Sequence, residues 1–93
     1  MPSDREFRTF LIDLADRMSN ESKKAFVFYL GDDIPERRKD DSLVEIFQIL
    51  INVGLISETD CSYLVDAMRA IKLTELAYSV ARFENRNELF SYE

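Results

Sequence analysis

The chain has 93 residues, of which 46% are hydrophobic and 32% charged, and 18 acidic against 12 basic residues give a net charge of −6. These values are typical of one globular domain, and the negative charge argues against binding to nucleic acid or to anionic membranes. Two glycines and two prolines are too few for a turn-rich β fold, so we expect an all-α domain. No apolar run in the sequence approaches the ~20 residues that span a bilayer.

The residue types present exclude most catalytic sites. Histidine is absent, which removes Ser-His-Asp and Cys-His catalysis and the usual zinc sites. Cys61 is the only cysteine, which fits a reducing compartment such as the cytoplasm, and its apolar register predicts a buried side chain. Gly31 and Gly54 stand apart and form no phosphate-binding loop. We therefore expect no enzyme activity, no metal site and no cofactor.

The spacing of apolar residues predicts the first two helices. Between residues 7 and 18 these residues recur with the 3.6-residue period of a helix, at Phe7, Phe10, Leu11, Leu14, Ala15 and Met18. Ile12 lies outside this stripe. Ser19 or Asn20 can cap a second helix with Glu21 in its first turn, and Gly31 is placed to end it.

Two further helices are predicted in the middle of the chain. Pro35 disfavours helical geometry in the residue before it and predicts a short helix after it. Ser42 caps a long, mostly apolar helix, whose narrow polar stripe consists of Glu45, Gln48 and Asn52. Ile49 lies beside this stripe, so we expect it to be an exposed apolar residue.

The last third of the chain predicts two more helices. The stretch SETD, residues 57–60, resembles a capping box at the start of the fifth helix. A sixth helix follows, and residues 84–93 are predicted to form a frayed tail in which Leu89 and Phe90 can dock. The whole prediction is a single domain over residues 1–93, with a core at about 7–83, built as an antiparallel bundle of six helices of which the third is short.

Three stretches, taken in chain order, resemble a known family. They are FVFYLGDDIPERR, LVEIFQILINVGLIS and TDCSYLVDAMRAIKLTEL. Together they resemble the death effector domain, a six-helix antiparallel bundle of the death-fold superfamily, from about Phe7 to Phe83. The resemblance implies homotypic association in the cytoplasm with other death-effector-domain proteins, which are adaptors, initiator caspases and their regulators in apoptotic or innate-immune signalling.

The chain departs from the family at a charge triad. The family often has an acid early in the second helix and an R-x-D-L motif before the last helix. Here Ser22, next to Glu21, stands at the acid position, and the motif reads LTEL, so that Leu73 replaces the arginine and Glu75 keeps the acid. Loss of both partners of an ion pair is less costly than loss of one. A function that depends on the triad is therefore not expected.

The apolar run AFVFYL, residues 25–30, is too apolar for one face of a surface helix. If Phe26 and Leu30 face the core, Val27 and Phe28 turn outward and Tyr29 lies at the boundary. In the family, a Phe-Leu pair at this place inserts into a groove between the first and fourth helices of a neighbouring domain. Phe28 and Tyr29 stand at that pair here, and we expect them, together with Val27, to bind a partner.

Ile12 on the first helix and Ile49 on the fourth are candidates for the receiving groove. One molecule then has both halves of the contact on different faces, and such a contact can propagate into a filament. The alternative is that Phe28 packs within the fold, beneath Leu89 or Phe90 of the final segment.

Charged residues form two patches that can orient such docking. A basic cluster follows Pro35, and the first helix is acidic. The charged candidates are Arg37, Arg38, Lys39, Asp13, Asp16, Glu21 and Glu75. The alternative is that these residues form a solvated loop and solvated helix faces.

The resemblance and the exposed apolar run favour an interaction module that recruits similar domains, with self-association as one outcome. One alternative is an inhibitory regulator or decoy that caps such assemblies. Another is a helical domain that docks within its own larger protein without assembling. The chain itself lacks the catalytic histidine of a caspase, although it could be the prodomain fragment of one.

Overall fold

The computed structural model of the chain describes the backbone from Asp4 to Ser91 and the side chains of residues 5–85. The described α-helices are α1 (Asp4–Asp16), α2 (Asn20–Leu30), α3 (Leu43–Asn52), α4 (Ser62–Ala70) and α5 (Thr74–Ser91). Two 3₁₀ turns, Gly31–Asp33 and Glu36–Arg38, connect α2 to α3. The described residues contain no β-strand beyond an isolated bridge between Ser57 and Asp60. The prediction of an all-α domain is therefore confirmed.

The short third helix of the sequence prediction is a single 3₁₀ turn, so the described residues contain five α-helices instead of six. Pro35 lies in an extended conformation with ψ 143°, and the turn it opens ends after three residues. Three residues are too few to close the i to i+4 hydrogen bonds of an α-helix, whereas a 3₁₀ turn needs only i to i+3 bonds. The long helix predicted as the fourth is accordingly α3.

Polar side chains define the starts of α2 and α3 as predicted. The Ser19 hydroxyl accepts a hydrogen bond from the Ser22 backbone N–H at 3.1 Å. Ser42 and Glu45 form a reciprocal capping box, in which each side chain accepts from the backbone N–H of the other. Gly31 follows α2 with φ 53°, a conformation that costs glycine little and other residues more.

The predicted capping box at SETD is wrong as a helix start. The Ser57 hydroxyl does accept from the Asp60 N–H, but these two residues also form the isolated backbone bridge, which is incompatible with a helical first turn. Helix α4 begins at Ser62, where the Asp60 carboxylate accepts from the Ser62 backbone N–H at 3.2 Å.

The last helix extends further towards the C-terminus than predicted. Helix α5 continues to Ser91, because no glycine or proline interrupts the chain after Thr74. The side chains of Leu89 and Phe90 lie outside the described residues, and so does their predicted docking.

The core joins all five helices. Helix α1 packs against α3, α2 against α4, and α4 against α5. The rings of Phe26 and Phe47 meet edge to face at 5.7 Å, and Phe10 stacks on Phe83 at 4.4 Å. Cys61 is fully buried in this core, as its apolar register predicts. The packing fixes which faces of α1, α2 and α3 remain outside.

Candidate protein–protein interface

Phe28 is the most exposed large apolar side chain among the described residues. It lies two positions after Phe26, which is roughly 200° around the helix and almost opposite the core. Phe26 is fully buried, whereas Phe28 is 89% exposed. The helical spacing thus predicts its direction correctly, whereas the alternative that Leu89 or Phe90 covers Phe28 concerns side chains outside the described residues.

Val27 and Tyr29 flank the buried stripe of α2 on its two sides. Each lies roughly 60° from one of the buried residues Phe26 and Leu30 and 100° from the other, so both are partly covered. Tyr29 is 43% exposed, at the boundary as predicted, but Val27 packs against the core instead of turning fully outward. The exposed surface is therefore Phe28 with Tyr29, which we call the aromatic patch.

A tyrosine on α4 supports the turn that follows the aromatic patch. The Tyr63 hydroxyl donates a hydrogen bond to the Asp33 carboxylate, and Ile34 next to it is buried in the core. Partial burial of Tyr63 raises the pKa of its phenol well above the ordinary value, and the hydrogen bond to Asp33 and the charges of Asp33 and Tyr29 raise it further. The neutral phenol thus links α4 to the end of α2.

Because the pKa of Tyr63 is raised in the folded state, its contribution to stability is complete below the unfolded pKa of about 10 and is lost as the pH rises beyond it. We expect the free energy of unfolding to fall less between about pH 8 and about pH 11 in Tyr63→Phe than in the wild type. Urea unfolding followed by circular dichroism measures the difference. Equal losses in the two proteins would contradict the linkage.

A small apolar groove lies between α1 and α3. Its volume is about 140 Å³, and its lining residues are Arg8, Leu11, Ile12, Val44, Phe47, Gln48 and Ile51. Ile12 is 55% exposed and Val44 is 46% exposed, so both stand at its rim. The Arg8 guanidinium donates a hydrogen bond to the Gln48 side-chain oxygen and joins the two helices. We call this hollow the α1–α3 groove.

Ile49 does not belong to this groove, which corrects the sequence prediction. It is half-buried against the core, and Val44 takes the expected place on α3. The two residues are five positions apart, roughly 140° around the helix, on opposite flanks of the buried stripe. The sequence did contain a signal for Val44. It lies four residues before Gln48, which also lines the groove, and residues four apart share one ridge of a helix.

A second hollow adjoins the α1–α3 groove on the other side of Ile12 and Val44. Its volume is about 590 Å³, and it extends along α1 to the start of α2. Asp13 and Asp16 are among its lining residues, together with Lys23 of α2, so the predicted acidic patch on α1 lies beside the apolar rim. Asp13 is within 4.0 Å of Arg17, whereas Asp16 makes no ion pair among residues 5–85.

A third hollow lies beside Phe28 and has three lysines in its lining. Its volume is about 500 Å³, and its lining residues are Lys23, Lys24, Val27, Phe28, Gly31, Lys39 and Asp40. Lys23 and Lys24 were not predicted from the sequence as part of the site. Lys39 comes from the loop before α3, so only the folded chain brings the three cations together. The aromatic patch therefore has a cationic edge.

Two basic residues of the loop before α3 are partly neutralised by carboxylates of the same loop. The Lys39 ammonium lies 3.4 Å from the Glu36 carboxylate, and the Arg38 guanidinium pairs with Asp41. Arg37 is exposed beside them. Such local pairs contribute little stability, but they reduce the charge that the predicted basic cluster presents to a partner.

The positions of the family's charge triad show no triad here. Ser22 shares a hydrogen bond with the Ser19 hydroxyl at 3.1 Å, and Leu73 packs against the core. Glu21 and Glu75 are both exposed, each in the first turn of its helix, where a carboxylate favours the helix dipole. The two carboxylates are therefore explained by their favourable position at the starts of α2 and α5.

Two other kinds of site were sought in the described part of the chain. No group of three or more cysteine or acidic side chains there is arranged to hold a metal ion. None of the described helices has the length and hydropathy to cross a membrane.

Comparison with known proteins agrees with the fold. A family model described as the death effector domain matches residues 7–86, a range that includes the aromatic patch and every residue of the α1–α3 groove. No curated protein and no solved structure matches the chain. Because the family match covers most of the 93 residues, the chain belongs to the death effector domain family.

Proposed function

We propose that this chain is a homotypic interaction module that recruits other death effector domains through its aromatic patch. Death effector domains are protein–protein interaction modules and not catalytic domains. In this proposal Phe28 is the anchor, Tyr29 contributes an amphipathic edge, and the α1–α3 groove of a neighbouring domain receives the anchor. The setting is cytoplasmic signalling in apoptosis or innate immunity.

The observation that carries the proposal is the exposure of Phe28. The Phe28 ring is 89% exposed and lies next to a half-exposed tyrosine, so the fold itself leaves this apolar surface in contact with water. Such contact is unfavourable, and a partner that covers the ring would remove it. Aromatic residues that fill a partner's pocket dominate binding energy in many interfaces. The surface is therefore better explained by a partner than by the stability of the domain.

The size of the α1–α3 groove supports the receiving half of the contact. An apolar cavity of about 150 Å³ accommodates one benzene ring. The groove measures about 140 Å³ and has an apolar rim and an aromatic floor, formed by Ile12, Val44 and Phe47. One phenyl ring thus matches its volume. A single contact of this size is weak, and assembly gains strength when several domains are held together.

The test is Phe28→Asp. We expect the variant to lose self-association, or binding to a second death effector domain, with a change in the free energy of unfolding below about 1 kcal/mol, because the side chain leaves the core untouched. Light scattering against concentration and a pull-down measure association, and thermal unfolding measures stability.

Tyr78→Asp is the matched control. Tyr78 is 65% exposed on α5 and lines none of the three hollows described above. We expect this variant to associate like the wild type. Equal association in both variants would refute the role of Phe28, and a large loss of stability in Phe28→Asp would mean that the ring belongs to the core.

A further inference from the structure

The hydroxyl of Tyr63 joins α4 to the turn that directly follows the aromatic patch. It donates a hydrogen bond to the Asp33 carboxylate, and this bond lies at the surface because Asp33 is exposed and Tyr63 is only half-buried. Phe28 and Tyr29 occupy the last turn of α2, and the 3₁₀ turn Gly31–Asp33 begins directly after the helix. A chemical change at the Tyr63 hydroxyl therefore acts within a few residues of the aromatic patch.

Acidic residues flank Tyr63 in the fold and along the chain. Asp32 and Asp33 are both exposed in the turn, and Asp60 and Asp66 lie three residues before and three residues after Tyr63. Asp33 makes no ion pair among residues 5–85. A negative group on the Tyr63 oxygen would thus lie next to a carboxylate that no cation compensates, and the two like charges would repel each other.

The chain before Tyr63 suits a protein-tyrosine kinase. Such enzymes bind the substrate as an extended segment, and many favour acidic residues ahead of the tyrosine. The segment between α3 and α4 is not helical and contains Glu58 and Asp60, whereas Tyr63 is the second residue of α4. Tyr29 and Tyr78 lie further inside their helices. Only the first turn of a nine-residue helix has to open before the phenol of Tyr63 can enter a kinase site.

We propose that Tyr63 is a tyrosine phosphorylation site, and that its phosphate displaces Asp33 and loosens the turn that holds the aromatic patch. The phosphorylated domain associates more weakly than the unmodified one. The effect on association rests on the proposed function. The inference goes beyond that function by assigning a modification site and the class of enzyme that acts on it, a protein-tyrosine kinase that uses ATP.

The modification is a phosphoryl transfer from ATP. The phenol oxygen of Tyr63 forms a bond to the γ-phosphorus, the bond from that phosphorus to the bridging oxygen breaks, and ADP leaves; the phenolic proton passes to the catalytic base of the kinase. The product has lost the proton that Asp33 accepts and carries a charge of about −1.5 to −2 at pH 7. An attractive contact between α4 and the turn is thereby replaced by a repulsive one.

Peptide mass mapping after incubation with ATP and a purified protein-tyrosine kinase tests the site. We expect more phosphate on Tyr63 than on Tyr78, although Tyr78 is 65% exposed, because Tyr63 follows a non-helical segment. Tyr63→Phe is the control, and we expect the corresponding peptide of this variant to remain unmodified. Absence of phosphate from Tyr63 in the wild-type chain would overturn the assignment.

Asp33→Asn tests how the phosphate acts. Asparagine keeps an oxygen that accepts from the Tyr63 hydroxyl but carries no charge. We expect phosphorylation to raise the Kd of association at least about fivefold in the wild type and by a smaller factor in Asp33→Asn. Glu21→Gln is the matched control, since Glu21 lies in the first turn of α2, at the end away from Asp33, and the full effect is expected to remain there. Sedimentation equilibrium measures each Kd.

Unfolding of the same proteins separates this inference from the proposed function. Phosphorylation is expected to lower the free energy of unfolding more in the wild type than in Asp33→Asn. An equal loss in both would mean that Asp33 is not displaced, and the inference would be overturned. A loss of stability without a change in association would refute the effect on the aromatic patch and leave the proposed function intact. If Phe28→Asp has no effect on any association, the proposed function itself fails, and the dependence of stability on Asp33 still decides whether the phosphate acts through this link.

Discussion

An equimolar mixture of Phe28→Asp and Val44→Asp chains is expected to form complexes of two molecules, whereas each chain alone stays monomeric. The first variant keeps the α1–α3 groove but lacks the anchor, and the second keeps the anchor but has a carboxylate at the rim of the groove. Neither can bind its own kind. In the mixture one intact contact remains, and each complex stops at two because the other contact is missing.

The expected size of this effect follows from burial of the anchor. Truncating a central aromatic anchor typically costs about 2–4 kcal/mol of binding free energy, which corresponds to a Kd raised roughly 30- to 1000-fold. Val44→Asp is a mild change for the fold, since Val44 is 46% exposed and lies in the first turn of α3, where a carboxylate favours the helix dipole. Loss of association therefore reports on the groove and not on unfolding.

The control for the mixture is Phe28→Asp combined with a chain that carries both substitutions. In that mixture the Phe28→Asp chain keeps an intact groove, but neither chain carries Phe28. We therefore expect both chains to stay monomeric at the same concentrations. Sedimentation velocity separates the two species. A mixture of the two single variants that remained monomeric would mean that Val44 does not receive Phe28, even if Phe28 binds a partner elsewhere.

The exposure of Phe28 could be predicted from the sequence because it depends only on helix geometry. Once Phe26 and Leu30 face the core, the 3.6-residue period leaves one direction for Phe28. The same helix geometry did not predict correctly that Ile49 would line the groove. A buried stripe has two flanks, and the sequence pattern alone does not tell which flank faces a neighbouring helix. The packing of α1 on α3 selects the flank of Val44.

The cationic edge of the aromatic patch could not be predicted, because it joins residues from separate elements. Lys24 belongs to α2 and Lys39 to the loop before α3, and their approach depends on two 3₁₀ turns. The prediction of a helix cap at residues 57–60 failed for a related reason. A serine and an aspartate at that spacing also suit a tight turn, and the backbone bridge between Ser57 and Asp60 competes successfully with the helix.

Phe47→Ala is expected to lower the free energy of unfolding by about 3–5 kcal/mol, whereas Phe28→Ala is expected to lower it by less than about 1 kcal/mol. Each change removes one phenyl ring. Phe47 is 1% exposed and meets Phe26 edge to face at 5.7 Å, so its removal leaves a cavity and an unpaired aromatic neighbour. Removal of Phe28 leaves no cavity, because water already surrounds it.

The pair of variants also separates the two roles that aromatic residues have in this domain. Unfolding in guanidinium, followed by circular dichroism, gives both free energies if the slope with denaturant is unchanged. Phe47 forms the floor of the α1–α3 groove, so Phe47→Ala should weaken association as well as stability, while Phe28→Ala should weaken association alone. Similar losses of stability in the two variants would mean that α2 is rotated about its axis relative to the core, and the aromatic patch would then be buried. A stable Phe47→Ala chain with unchanged association would instead show that the groove does not receive the ring.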